Sequence, residues 1–261
     1  MRFPFFSGKK KKKEQGNTEE EEKIDDYSLG SSEHFEWRAQ AGSGRVGNAD
    51  WIRKNGIHYL EGVYSVYRDD ILKLGEANRL PITVIVKPSA ECQGGIAGAT
   101  GNGELSYCAG TWASNEFCYG ILAHELCNLF TGERVGSGWP TAWWANHRSP
   151  FPTMIANQAL RKLVPEYYRR WGNYNDPLVV MFQKFYDVYP GMFPKMFQKM
   201  RGLGVVLSRF EEPYLSHLVY YFMFYGAGQQ KISNYFVAPP MPPINPRTIS
   251  DIEGRFKLGV I

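Results

Sequence analysis

The residues whose types and spacing favour chemistry lie in the segment Ala-His-Glu-Leu-Cys-Asn, residues 123–128. His124 and Asn128 stand four positions apart, and Glu125 follows the histidine directly. Residues four apart lie on one face of an α-helix, so His124 and Asn128 are expected to face one site with Glu125 beside them. In zinc hydrolases such a helix carries two histidine ligands and a glutamate that acts as the base for the metal-bound water. Here Asn128 occupies the place of the second histidine.

This segment resembles the active-site helix of the gluzincin metallopeptidases, in particular those of the aminopeptidase N type and the small gluzincins. The family pattern is His-Glu-x-x-His, then eighteen residues, then Glu. Gly132, Trp143-Trp144 and Asn146 match the family glycine, the tryptophan-rich loop and the asparagine before the third ligand. The position of the third ligand, after eighteen intervening residues, holds His147 instead of glutamate. The resemblance covers about residues 56–165.

The resemblance implies a zinc site formed by His124, Asn128 and His147, with Glu125 as the general base. The substrate would be a peptide or protein. Imidazole is a good zinc ligand, but a neutral amide oxygen is a poorer one, so metal affinity and activity are expected to be weakened or lost. In gluzincins a downstream tyrosine or histidine stabilises the oxyanion of the transition state. The candidates here, on a helix predicted over 211–226, are His217, Tyr220 and Tyr221.

Three other interpretations of the segment stay open. A chain that keeps the cleft but not the chemistry would be a non-catalytic pseudo-peptidase, which captures extended peptide or protein by pairing with an edge strand at Gly94–Thr100. Cys127 together with His147 suggests a thiol hydrolase, although no sequence signal of a strained nucleophile turn supports it. The His-Glu pair can also arise by chance on a core helix.

The pattern of apolar residues predicts the elements that position these side chains. A helix is predicted over 56–79, a buried strand over 82–86 and a hairpin with its turn at Gly101–Gly103. The His124 helix is predicted to begin at Ser114 or Asn115 and to run to Thr131, with Gly132 as its stop. Further helices are predicted over 150–163, 176–188, 192–202, 211–226, 229–236 and 248–257.

These elements predict an α+β fold of zincin type: a small mixed sheet with the active-site helix, followed by a C-terminal helical lobe. Residues 46–261 are expected to form this single domain, with the sheet and active-site helix over 46–132 and the helical lobe over 133–261. Residues 1–45 carry blocks of like charge, including five lysines at 9–13, and such blocks are typical of disordered tails. Order is therefore expected to begin near Trp51.

Composition limits the partners and the compartment. The 261 residues are 43% hydrophobic and carry a net charge of only +4, which gives no strong signal for nucleic acid. No stretch reaches 18 uninterrupted apolar residues, so no membrane span is expected. Without a recognisable secretory signal, the four cysteines (Cys92, Cys108, Cys118 and Cys127) are expected to be reduced and the protein cytoplasmic, although a Cys92–Cys108 bridge stays possible.

Overall fold

In the part of the chain that the structure describes, five short strands form one mixed β-sheet. The computed structural model describes residues 27–41, 43, 49–92, 97–100, 103–108, 115–135, 150–168, 176–228 and 244–257. The strands are β1 (Tyr27–Ser31), β2 (Phe35–Ala39), β3 (Ile82–Lys87), β4 (Ala97–Thr100) and β5 (Glu104–Cys108). Their order across the sheet is β1-β2-β3-β5-β4. The three inner strands are parallel, and the edge strands β1 and β4 pair antiparallel to their neighbours.

Alternation of apolar residues decides which face of the sheet is buried. In β3 the residues Ile82, Val84 and Val86 are fully buried, and the residues between them are half-buried. The register pairs Trp37 of β2 with Val84, so the two strands bury the same face. Side chains alternate across a strand, and a one-residue slip would turn this whole face to solvent. The predicted strand over 82–86 and the hairpin that follows it are confirmed.

The first two strands correct a sequence-based prediction. Strands β1 and β2 lie within the segment that composition predicted to be a disordered tail, and Phe35 and Trp37 are fully buried in the core. The prediction is therefore wrong for residues 27–41. The physical reason is that a few large apolar side chains can join a sheet when a partner strand from elsewhere in the chain covers them. The lysine run at 9–13 lies outside the described residues.

Helical segments pack against this sheet and against one another. The first helical segment comprises α1 (Ala49–Trp51), a π-helical turn (Ile52–Gly56), α2 (Ile57–Val66) and a second π-helical turn (Tyr67–Ile71). The others are α3 (Asn115–Val135), α4 (Pro150–Leu163), α5 (Pro177–Val188), α6 (Met192–Gly202), α7 (Tyr214–Gly226) and α8 (Pro246–Phe256). Short 3-10 turns lie at Ser89–Cys92, Pro165–Tyr167 and Leu207–Arg209.

Several helix ends differ from prediction, and the first helical segment begins at Ala49 rather than at Gly56. The first helical segment ends at Ile71 rather than at Arg79, because Lys73 and Gly75 adopt positive φ angles of 52° and 74° that a right-handed helix cannot accommodate. Helix α3 continues through Gly132 to Val135. Predicted helices at 150–163, 176–188, 192–202, 211–226 and 248–257 are present with ends shifted by up to three residues. The predicted helix at 229–236 lies outside the described residues. The fold is therefore of mixed α+β class.

Two predictions about environment can be compared with the fold. No helix in the described part of the chain is long and apolar enough to cross a membrane. Cys118 and Cys127 are reduced, whereas Cys108 is disulfide-bonded, so the expectation of four reduced cysteines is wrong at Cys108. Disulfides are rare in the cytosol. The cytoplasmic location therefore stays a prediction, and the cysteines no longer support it.

The turn between β1 and β2 is attached to α2 by a buried histidine. The carboxylate of Glu61 accepts hydrogen bonds from the backbone N–H and the ring Nδ1 of His34, each at 2.7 Å. The imidazole also stacks on Tyr64, with ring centroids 4.1 Å apart. Burial alone would raise the pKa of Glu61, but the hydrogen-bond donors around the carboxylate, His34 among them, outweigh burial and hold that pKa below its ordinary value of 4.5. This carboxylate therefore stabilises the hairpin in its charged form.

We expect Glu61→Gln to lower the free energy of unfolding by roughly 1–3 kcal/mol, because charge-assisted hydrogen bonds to His34 are replaced by weaker ones. Because the pKa of this carboxylate is lower in the folded state, its contribution to the free energy of unfolding is complete above the pKa that it has in the unfolded chain, about 4.5. This contribution is lost as the pH falls below that value. Urea unfolding at pH 7 and pH 3.5 measures both effects. Glu36→Gln, which breaks only an exposed pair with Arg38, is the control and should cost much less. Equal losses in the two variants would contradict the role given to Glu61.

Candidate functional site

Helix α3 carries the segment that the sequence selected. Its residues Leu122, Leu126 and Phe130 are buried in the core, while His124 and Asn128 are half-buried. The helix packs against β4 and β5 on one side and against α4 on another. His124 and Asn128 therefore lie one helical turn apart on a strip that is less covered than residues 120–123, 125–127 and 129–131 of the helix, as their spacing predicted.

Glu125 is the acidic group of the site. Its side chain is buried, and Asn128 Nδ2 donates a hydrogen bond to Glu125 Oε2 at 3.1 Å. Burial raises the pKa of Glu125 to about 7, and the hydrogen bond from Asn128 reduces the rise. A carboxyl group with this pKa can exchange a proton near neutral pH, which is the property of a general acid or base.

His124 contacts the neighbouring helix α4. Its ring nitrogen Nδ1 lies 3.4 Å from the hydroxyl oxygen of Thr153, a buried residue in the first turn of that helix. The backbone just before the histidine is held as well, because the Tyr67 hydroxyl donates to the carbonyl of Ala123 at 2.9 Å. Sequence analysis missed Thr153 and Tyr67, since neither belongs to a local motif and both reach α3 only through tertiary packing.

The described residues provide only part of the zinc site that the resemblance implies. They supply one imidazole, His124, and one amide, Asn128, whose nitrogen is bonded to Glu125. Zinc in proteins takes three or four ligands, so these two alone do not make a zinc site. Within the described ranges no group of three or more His, Cys, Asp or Glu side chains could hold a metal ion. The third predicted ligand, His147, lies outside the described residues, as do Trp143-Trp144 and Asn146.

The geometry does not favour a thiol mechanism. Cys127 is fully buried in the core. Burial raises the pKa of its thiol well above the ordinary value, and the nearby charge of Glu125 raises it further. Reactive cysteines have lowered pKa values and partial exposure, because the thiolate is the nucleophile. Cys127 is therefore a packing residue.

The three proposed oxyanion donors lie on α7 and are all buried. His217 connects two helices: its Nδ1–H donates to the carbonyl of Pro213 at 2.7 Å, and its Nε2 accepts from the backbone N–H of Asn245 at 2.8 Å. Both ring nitrogens are thus used within the fold, which assigns His217 a structural role. Burial raises the pKa of Tyr220. Among the described residues the Tyr221 hydroxyl has no hydrogen-bond partner.

The chain matches no protein-family model, no curated protein and no solved structure. Its site therefore has to be interpreted from its own residues.

Glu125→Gln should change the pH dependence of stability in metal-free protein. Because the folded pKa of about 7 lies above the ordinary 4.5, the folded state holds the proton more tightly than the unfolded state. Wild-type stability should therefore fall as the pH rises from about 4.5 to 7, by at most about 3 kcal/mol, whereas the glutamine variant stays neutral. Urea unfolding with chelator at pH 5 and pH 8 measures the difference. Glu166→Gln, at an exposed carboxyl, is the control, and a pH-independent difference at Glu125 would refute the assignment.

Replacing His217 by leucine should loosen α8, because the substitution removes the hydrogen bond that His217 Nε2 accepts from the backbone N–H of Asn245, at the start of that helix. We expect a loss of roughly 1–3 kcal/mol in the free energy of unfolding, with faster amide exchange over residues 246–256. Hydrogen–deuterium exchange with mass spectrometry measures this directly. Tyr221→Phe on the same helix removes a hydroxyl that has no partner among the described residues, and it should leave exchange in α8 unchanged. Unaltered exchange in His217→Leu would show that the connection contributes nothing.

Proposed function

We propose that the chain is a gluzincin-like hydrolase of peptide or related acyl bonds, with Glu125 as its general base. The observation that carries the proposal is the arrangement on α3: Glu125 is buried and bonded to Asn128, and His124 lies beside it on the same helix. The pKa of about 7 at Glu125 agrees with this role. Zinc bound by His124, Asn128 and His147 belongs to the proposal and would supply Lewis-acid assistance.

The chemistry that follows from the chain itself is proton transfer at Glu125. Its carboxylate accepts a proton from a water molecule as the water oxygen attacks the carbonyl carbon of the substrate. The proton then passes from Glu125 to the departing amine as the carbon–nitrogen bond breaks. The products are a carboxylic acid and an amine, and Glu125 returns to its carboxylate form. Such general acid–base catalysis contributes about 10²–10⁴-fold to a rate.

The sheet supports a zincin-like architecture as part of the same proposal. Strand β4 is an antiparallel edge strand, and it leads through β5 to the helix that carries His124. Helix α3 also packs against β4. An extended substrate paired with the outer edge of β4 would therefore lie close to α3. Its backbone N–H and C=O groups would form hydrogen bonds with those of β4.

The same edge supports a second candidate function. A non-catalytic relative would bind extended peptide along β4 without cleaving it, since strand addition requires only a free sheet edge and no acid–base group. The replacement of two of the three family ligands by Asn128 and His147 favours this alternative. The two candidates differ in metal content and in whether bound peptide is hydrolysed.

Metal content and peptide cleavage test the proposal together. Protein purified without chelator should contain zinc, and the double variant His124→Ala/His147→Ala should not. Elemental mass spectrometry measures the zinc content of both. With a library of unstructured peptides, Glu125→Gln should lower kcat/KM by about 10²–10⁴-fold and retain the metal. Glu166→Gln provides a control for the loss of a carboxyl group elsewhere.

Two outcomes would overturn the hydrolase proposal. One is equal, negligible zinc in the wild type and the double variant. The other is peptide binding by the wild type with no cleavage, detected by fluorescence anisotropy of labelled peptides together with mass spectrometry. The second outcome would establish the binding function in its place, and proline substitutions in the peptides should then weaken binding because they remove backbone N–H donors.

A further inference from the structure

Helix α4 brings a hydroxyl group to the histidine of the site. Thr153 is 3% exposed, and its Oγ1 lies 3.4 Å from Nδ1 of His124. The two helices run antiparallel, as two contacts show. Thr153, in the first turn of α4, faces the middle of α3. Tyr167, just beyond the end of α4, packs on Tyr119 near the start of α3, with ring centroids 5.2 Å apart. The contact is therefore part of an extended helix–helix interface.

The direction of this hydrogen bond depends on where the Thr153 hydroxyl places its own hydrogen. A threonine hydroxyl in a helix can donate to a backbone carbonyl three or four residues earlier. Thr131 on α3 does so, donating to the carbonyl of Cys127 at 2.9 Å. If the Thr153 hydroxyl donates to its own helix in this way, its oxygen is an acceptor towards His124. The ring must then carry its hydrogen on Nδ1.

We propose that Thr153 is a positioning residue that holds His124 as the Nδ1–H tautomer. In this tautomer the imidazole lone pair is on Nε2. A neutral imidazole binds a metal ion, or accepts a proton, through the nitrogen that bears its lone pair, and the hydrogen bond at the other nitrogen determines which one that is. The inference rests on the proposed function only in assigning His124 to the site.

The experiment measures the tautomer first, in metal-free protein. The ¹⁵N chemical shifts of the two ring nitrogens of His124 distinguish a protonated nitrogen from one with a lone pair. We expect wild type to show the Nδ1–H form at a pH where the ring is neutral. Thr153→Val preserves the shape of the side chain but removes the hydroxyl, and should shift the ring to a mixture of tautomers. Thr153→Ser restores the hydroxyl and should restore the wild-type spectrum.

Zinc binding gives a second measurement. If the wild type binds zinc, Thr153→Val should weaken binding about 10- to 100-fold, the usual cost of losing a group that orients a metal ligand, and Thr153→Ser should recover most of it. Thr131→Val is the matched control, because it removes a buried threonine hydroxyl from α3 that bonds to Cys127 rather than to His124. It should leave the His124 tautomer unchanged.

The outcomes separate this inference from the proposed function. An Nε2–H tautomer in the wild type, or a His124 spectrum that is the same in Thr153→Val, overturns the role of Thr153 whatever the zinc affinity. Absence of zinc binding in the wild type overturns the proposed metal site, while the tautomer measurement still decides what Thr153 does. Should Thr153→Val not fold, the wild-type and Thr153→Ser spectra decide the question: the Nδ1–H form in both supports the assignment, and any other result refutes it.

Discussion

The burial of α3 determines both the structure and the chemistry of this protein. This helix packs against two strands of the sheet and against α4, so most of its side chains are removed from water. Removing apolar side chains from water is the main favourable contribution to folding, and here it also places a carboxyl group in a weakly polar setting. The pKa of Glu125 rises to about 7 for that reason before any specific partner acts on it. The stability of the helix and the raised pKa of Glu125 thus have one physical cause.

Aromatic side chains of α2 and the π-helical turn after it connect the buried helix α3 to the N-terminal strands. The ring of Phe130 on α3 meets Tyr64 and Tyr67 edge-on, with centroids 5.2 and 6.1 Å away. Tyr64 in turn stacks on His34 in the turn between β1 and β2. Edge-to-face aromatic pairs have a preferred geometry as well as a large buried area. The orientation of α3 is therefore connected to the hairpin through a continuous set of packed rings, and the Tyr67 hydroxyl holds the backbone beside His124.

Local pattern was sufficient to predict some parts of this fold and not others. The strand at 82–86 and the helices α3 to α7 were predictable, because their apolar residues recur with the period of the structure that they form. Strands β1 and β2 were not, since five-residue strands beside a charged segment are stabilised by pairing with β3 and by the bond between His34 and Glu61, 27 positions apart. On α3 the shared face of His124 and Asn128 followed from spacing. The contact with Thr153 depends on how α4 packs and has no signal in sequence.

The amide group of Asn128 acts directly on the buried carboxyl group of the candidate site. An asparagine can offer its oxygen to a metal ion while its nitrogen donates elsewhere, and in this fold the nitrogen of Asn128 donates to Glu125. That bond favours the charged form of the carboxyl group and so opposes the effect of burial on its pKa. The two polar atoms of the amide thus have separate roles: the nitrogen holds Glu125, and the oxygen is the atom that the proposed zinc ion would bind. Asn128 therefore opposes the rise in the pKa of Glu125 whether or not an ion is bound.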